Sequence, residues 1–266
     1  MKKLAVIGKD VSKSLSPEIH TFIAKHTGNK LEYSKVSIPE SEFAANAEKL
    51  FKEYDGFNVT IPYKLSIIPY LKKIDGDAKT FGAVNTVRVC DMSGHNTDGS
   101  GFMLMLKNNG VEVKGQNILL LGAGGAGRSV AKKLTDNDAN VFVYDKSNES
   151  AKNLETEFLG VKAIESIDRN PYYAIINATG IGMHTTEGIS PVGKDIIDLC
   201  NVAVDLIYTP KKSEFLHIAE KCGKKIINGE AMLFYQAYYS QCIFFEKPAD
   251  EWEAKQLFKK FTEEFL

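Results

Sequence analysis

A lysine just past the end of a strand is the first group in this sequence that could do chemistry. Across residues 56–64, Phe57, Val59 and Ile61 alternate with Asn58 and Thr60, the two-residue period of a strand. Pro62 has no N–H to give to a sheet ladder, so the strand should stop there. Lys64 then falls in a loop or first helical turn at the strand's carboxyl end, the edge where open α/β sheets bind ligands. An ammonium there can face an oxygen that gains negative charge and can supply its proton. Partial burial lowers a lysine pKa toward neutrality, and a nearby carboxylate raises it again. Asp98 is the candidate carboxylate. It sits in Asn96-Thr97-Asp98-Gly99, which is also a good turn sequence in which Asp98 would bond only its own backbone.

A glycine loop is the second chemical feature. Residues 117–121 read as a buried strand, Gly122, Gly124 and Gly127 follow, and a helical pattern continues through Leu134. Gly122 permits a tight turn, Gly124 lets backbone amides approach a pyrophosphate, and Gly127 lets the helix pack closely on the strand. The helix amino terminus adds partial positive charge. Asp145 ends the next strand, 23 residues after Gly122, where a carboxylate holds the ribose 2′-hydroxyl of NAD. Lys146 and Ser147 follow and could hold the 2′-phosphate of NADP instead. The residues leave that choice open. A third corner, Asn177 to Met183 with Gly180 and Gly182, ends a strand at 174–176 and is expected to border the nicotinamide.

The elements that must position these groups alternate between apolar β-branched runs and helical patterns, an α/β layer architecture. Strands are expected at 3–8, 31–38, 56–61 and 84–90. Ser16 before Pro17 reads as an N-cap, Gly28 as that helix's stop, and Ser41 as the cap of a helix with Phe43, Ala47, Leu50, Phe51 and Tyr54 on one face. A short helix is expected up to about residue 73. A domain boundary is placed at Gly99-Ser100-Gly101. Strand and helix then alternate to about 228. A long helix over 231–245 and a last one entered at Pro248, with Trp252, Leu257, Phe258, Phe261 and Phe265, need a surface to cover. The first domain is short of helices, so the chain is expected to return to it.

Bulk properties narrow the function. The chain has 266 residues, 44% hydrophobic and 25% charged, with a net charge of -1, so no basic footprint for nucleic acid exists. No apolar run approaches the ~20 residues of a membrane span. Residues 1–8 read as a first strand rather than a leader. Cys90, Cys200, Cys222 and Cys242 form no Cys-x-x-Cys pair, so reduced and mostly buried thiols in a cytoplasmic protein are expected. His20, His26, His95, His184 and His217 are scattered without metal spacing, and none is assigned a catalytic role.

Several separated segments together resemble shikimate dehydrogenases. They are 12–17, 56–64, 82–86, 94–99, the glycine loop, 177–183, 204–208 and 228–236, in the family's order from end to end. The resemblance implies two domains with a cleft between them: an α/β substrate-binding domain with a mostly parallel sheet, at 1–100 plus 235–266, and a Rossmann-like NAD(P)-binding domain at 101–234. It implies reduction of 3-dehydroshikimate to shikimate, usually with NADPH, a step of aromatic amino acid (chorismate) biosynthesis. Lys64 and Asp98 match the family's catalytic pair, and Ser14 and Ser16 its carboxylate-binding serines. Thr60, Asn85 and Gln236 match ligands of the substrate hydroxyls, and Tyr208 matches a substrate-contacting tyrosine. Ser16 could equally be only a cap, and Gln236 could serve a core hydrogen bond. The cofactor set is Gly122, Ala123, Gly124, Gly125, Ala126, Gly127, Asp145, Lys146, Ser147, Thr179, Leu206 and Gly229. The sequence departs from the family at Asp145-Lys146-Ser147, where Asn-Arg-Thr is frequent, and at Tyr63, Gly180 and Thr209. Asp145 keeps NAD open as cofactor, and with it the alternative of an NAD-dependent quinate/shikimate dehydrogenase. A regulatory module that binds a small acid without turnover is the alternative from another class. The expected partners are the small-molecule substrate alone, in a monomer or homodimer.

Overall fold

Leu4, Ala5, Val6 and Ile7 are all buried, the pattern of a central strand covered on both faces. In the computed structural model, which describes residues 1–265, this strand is β1 (Lys2–Gly8). It pairs in parallel with β2 (Leu31–Ser37) and β3 (Gly56–Val59). β5 (Thr86–Arg88) runs antiparallel to β3, and β6 (Ser93–His95) antiparallel to β5. β4 (Lys73–Ile74) closes the sheet in parallel with β6, giving the order β2-β1-β3-β5-β6-β4. Helices α1 (Ser16–Thr27), α2 (Phe43–Glu53) and α3 (Gly76–Phe81) accompany it. The core joins Ala5, Ile7 and Phe57 of the sheet to Phe43, Ala47 and Leu50 of α2.

Several expected boundaries move, each for a local reason. β3 ends at Val59 rather than 61. The Thr60 N–H still bonds the Ile7 carbonyl at 2.8 Å, but Ile61 is 76% exposed and takes no part in the strand period. All four residues of β3 are buried, so Asn58 lies on a covered face. The helix expected up to 73 is a series of turns with one 3₁₀ turn, Ile68–Tyr70, because Pro62 and Pro69 remove two donors from any helical ladder. Ser16 is the first residue of α1 rather than its cap. The cap position is Leu15, without a side-chain bond, and Ser14 Oγ accepts the Ser16 N–H at 3.2 Å. Ser41 caps nothing. It lies in the 3₁₀ turn Glu40–Glu42, which starts at Pro39, one turn ahead of α2. The strand expected over 84–90 keeps only Thr86–Arg88. Arg88 bonds Asp91 through Nε at 3.1 Å and Nη2 at 2.6 Å, closing a turn into β6. Of the four thiols, expected to be mostly buried, Cys200 is buried, Cys222 and Cys242 are half-buried and Cys90 is exposed.

α4 (Asp98–Asn108) runs unbroken through Gly99-Ser100-Gly101. The chain divides into two units: Met1–Gly101 with the segment from Phe234 onward, and Phe102–Leu233. The divisions fall inside α4 and inside α9 (Glu230–Phe245).

The second unit holds a parallel sheet of β7 (Asn117–Leu121), β8 (Asn140–Tyr144), β9 (Val161–Ala163), β10 (Tyr172–Asn177), β11 (Cys200–Asp205) and β12 (Lys225–Ile227). Its order is β12-β11-β10-β7-β8-β9. This is the doubly wound dinucleotide-binding order, reversing between β7 and β10. α5 (Gly125–Asp136), α6 (Asn148–Glu157), the single turn α7 (Lys194–Ile197) and α8 (Glu214–Lys221) complete it. Phe215 and Leu216 of α8 pack with Leu119, Ile175 and Ala203 of the sheet.

In the first unit, α10 (Glu251–Phe265) and the later part of α9 cover α1. The Phe22 ring lies 5.2 Å from that of Phe261, and Gln241 Nε2 donates to the His20 carbonyl at 2.9 Å. The buried stripe of α10 is Ala254, Leu257 and Phe261, the helical i, i+3, i+7 spacing. Trp252, expected on that stripe, is 70% exposed. Among the described residues, no helix is long and apolar enough to cross a membrane.

Candidate active site

Two short connections in the first unit bring Lys64 and Asp98 together. Tyr63 anchors the turn after β3: its ring stacks on Phe43 at 4.1 Å and its hydroxyl donates to the Ile38 carbonyl at 2.5 Å. The Lys64 carbonyl accepts the Val84 N–H at 2.9 Å. With the residue fixed on both sides, the ammonium reaches Asp98 Oδ2 at 2.6 Å. Asp98 is the first residue of α4, and its N–H is taken by Asn96 Oδ1 at 3.0 Å. The Asx turn therefore belongs to Asn96, and the Asp98 carboxylate is left for side chains. Its Oδ1 accepts Asn85 Nδ2 at 2.8 Å. The Lys64 and Asp98 side chains are 21% and 11% exposed, so solvent ions screen this pair less than a surface pair.

The same amide nitrogen of Asn85 lies 3.4 Å from Gln236 Oε1 on α9. Four of the expected residues, Lys64, Asp98, Asn85 and Gln236, thus form one chain of polar contacts. Ser14 and Ser16 form a second cluster at the start of α1, where Ser14 Oγ donates to Ser16 Oγ at 3.0 Å. The Ser16 N–H is already taken by Ser14 Oγ and Pro17 has no N–H, so the two hydroxyls, aided by the helix dipole, are the groups offered to an anion here. Thr60 is half-buried between β3 and the Lys64 turn.

One arrangement in this unit imitates a hydrolytic triad. His95 Nε2 is 2.9 Å from Ser93 Oγ and His95 Nδ1 is 2.9 Å from Asp75 Oδ2. Ser93 is fully buried and gives its proton to Asp91 Oδ1 at 2.7 Å, so it is no nucleophile. Burial lowers the His95 pKa while Asp75 opposes the shift.

In the second unit, backbone geometry dominates. Gly122 has φ 100°. A Cβ at Gly127 would stand 2.1 Å from the Gly122 carbonyl oxygen, so only glycine lets α5 approach β7 this closely. Gly124 and Gly125 are exposed, and a Cβ at either would meet nothing within 4 Å. Gly124 caps the helix without a side-chain bond, and Ala126 lies in its first turn. An open helix amino terminus flanked by bare backbone fits a pyrophosphate. Asp145 holds the loop in shape: its carboxylate accepts the Ala123 N–H at 2.7 Å and the Ser147 N–H at 2.8 Å. Ser147 caps α6 by accepting the Ser150 N–H, and Lys146 is exposed.

Thr179 Oγ1 donates to Asn177 Oδ1 at 2.6 Å. A Cβ at Gly229 would collide with the Leu206 carbonyl at 2.1 Å, so those two positions touch through backbone. Burial raises the Tyr208 phenol pKa. Asp205, to which no role was assigned above, organises this edge. Fully buried, it accepts from Asn177 Nδ2 at 3.0 Å, the Ile207 N–H at 3.0 Å and Ser213 Oγ at 2.5 Å. Burial raises its carboxyl pKa against those three donors. An aspartate closing an apolar strand was the available signal. Among the described residues, no group of three His, Cys, Asp or Glu could hold a metal.

A family model described as the shikimate dehydrogenase substrate binding domain matches residues 6–87. A shikimate dehydrogenase (NADP(+)) from Carboxydothermus hydrogenoformans is 37% identical over 253 residues, 88% of each chain. The chain belongs to the shikimate dehydrogenase family. Two solved structures of family proteins agree in fold. A chorismate mutase/shikimate 5-dehydrogenase fusion protein from Clostridium acetobutylicum superposes with TM-score 0.91 at 34% identity, over 99% of this chain and 98% of that one. The Thermus thermophilus shikimate 5-dehydrogenase, solved in complex with NADP(H) and shikimate, gives 0.88 at 30% identity, over 98% and 99%.

Proposed function

We propose that this protein is an NADP-dependent shikimate dehydrogenase, interconverting 3-dehydroshikimate and shikimate through Lys64 and Asp98. One observation carries the reading: the 2.6 Å contact between an ammonium and a carboxylate brought from separate connections, with Asn85 on the second carboxylate oxygen. When bound, the nicotinamide supplies or accepts the hydride at the substrate carbon. Lys64 donates a hydrogen bond to the ketone oxygen and gives it a proton as negative charge develops there. Asp98 keeps the ammonium on that oxygen and accepts from a neighbouring substrate hydroxyl. In the oxidative direction, Lys64 takes the proton back.

The first unit is the substrate domain in this reading. Ser14 and Ser16 bind the carboxylate, and Thr60, Asn85 and Gln236 serve the hydroxyls, while Tyr208, from the second unit, contacts the substrate. The second unit is the cofactor domain, with Gly122 to Gly127, Asp145, Lys146, Ser147, Thr179, Leu206 and Gly229 along the dinucleotide. The four free cysteines suit work in the reducing cytoplasm. The test is absorbance at the reduced-nicotinamide band on mixing the protein with shikimate or quinate and NADP+ or NAD+. A rise with shikimate and NADP+ is expected. No rise in any of the four mixtures overturns the reading.

A further inference from the structure

The amide of Asn85 is oriented by hydroxyls that lie away from the Lys64–Asp98 pair. Asn85 Oδ1 accepts from Thr86 Oγ1 at 2.8 Å and from the Thr97 N–H at 3.0 Å. With the oxygen so placed, Nδ2 faces Asp98. Thr86 has one proton and gives it to Asn85, so its own oxygen must accept from its other neighbours. Those neighbours are Asn58 Nδ2 at 3.1 Å and Ser240 Oγ at 2.7 Å. Ser240, on α9, also takes Asn58 Nδ2 at 3.0 Å and lies 3.1 Å from Thr97 Oγ1. Thr86 and Ser240 are both fully buried. Ser240 also has a single proton, which both Thr86 Oγ1 and the Gln236 carbonyl at 2.9 Å can accept. From Thr86 onward the polar chain runs one way, with Thr86 donating to Asn85, Asn85 to Asp98, and Lys64 to the far oxygen of Asp98.

A buried hydroxyl cluster of this kind costs stability unless every member is paired. An apolar pair would fill the space at less risk, yet the chain joins β3, β5, α4 and α9 around the two connections that carry Lys64 and Asp98. We propose that Thr86 and Ser240 are positioning residues for the dehydrogenase reaction, acting through Asn85 to hold Asp98 against Lys64. The proposal rests on the shikimate dehydrogenase reading.

Thr86→Val removes the hydroxyl at nearly constant shape. It is expected to lower kcat about tenfold, the worth of roughly one hydrogen bond, and to raise the KM for shikimate by a smaller factor. Thr86→Ser, which keeps the hydroxyl, restores kcat to within about twofold. Ser240→Ala lowers kcat in the same direction and less steeply. The deciding measurement repeats Thr86→Val in an Asn85→Ala background. There the second change is expected to leave kcat unmoved, because the residue it acts through is gone. Unfolding midpoints of all variants are read alongside. A Thr86→Val enzyme with wild-type kcat and only a lower midpoint overturns the proposal, and so does an equal loss in the Asn85→Ala background. A wild-type protein without turnover fails the functional reading itself and is seen before any variant is made.

Discussion

In the proposed reading the two units solve the same problem, placing a ligand, with different materials. In the first, side chains do the placing. Lys64, Asp98, Asn85 and Gln236 are already bonded to one another, so the polar groups are preorganised before any substrate arrives. In the second, the central contribution is the absence of side chains. Gly124 and Gly125 present bare backbone to open space, and Gly127 lets the helix amino terminus approach. Damage should therefore differ in kind. Polar substitutions in the first unit should cost turnover, and added methyls in the second should cost cofactor affinity or folding.

The largest expected effect is on Lys64. Lys64→Ala should lower kcat by ~10²–10⁴, the range of general acid–base help, while calorimetric binding of shikimate changes little. The glycines come next and sharpen the contrast within one loop. Gly127→Ala puts a Cβ against the Gly122 carbonyl at 2.1 Å, so the unfolding midpoint should drop and NADP+ binding should be lost with it. Gly125→Ala meets nothing within 4 Å. It should leave the midpoint nearly unchanged and still raise the NADP+ KM several-fold, because the methyl enters the space a pyrophosphate needs. Equal effects of the two on stability would contradict the distinction.

A smaller effect is expected at the serines. Ser14→Ala should raise the shikimate KM about tenfold, the loss of a hydrogen bond to a charged group, before it lowers kcat. The smallest effect at neutral pH concerns His20, which stacks on Tyr33 at 4.4 Å and whose burial lowers its pKa to about 3. An unfolded histidine titrates near ~6.5. Below that pH the unfolded chain binds a proton that the folded chain refuses. The His20 contribution is thus whole above ~6.5 and falls as the pH drops toward 3, by at most ~1.4 kcal/mol per pH unit. Urea unfolding between pH 7 and pH 4.5 should show a shallower loss in His20→Gln than in the wild type.

The contrast between units also explains what could be read in advance. The glycine loop was legible because its geometry is mostly local: a strand, a turn and a helix within 20 residues, with Asp145 from the next strand holding the turn. Lys64 was legible because Pro62 and the strand period mark its place. Ser16 and Ser41 misled because capping depends on where the turn begins, and Ser14 and Pro39 each shift that point. β4 and β6 are two and three residues long, too short to show a period. Thr86 and Ser240 were silent, and Asp205 was marked only as the close of an apolar strand, for a different reason. Their partners come from 154 residues away in one case and from separate strand ends in the other, and no spacing in the sequence records such a meeting.

The central claim is that Lys64 and Asp98 act as one device, and a double-mutant cycle tests it most directly. Saturating kcat is measured for Lys64→Ala, Asp98→Ala and the double variant under the same conditions. Residues that work as a unit give a double variant no slower than the worse single one, and that is the expected result. Losses that multiply would show two groups working independently and would contradict the account.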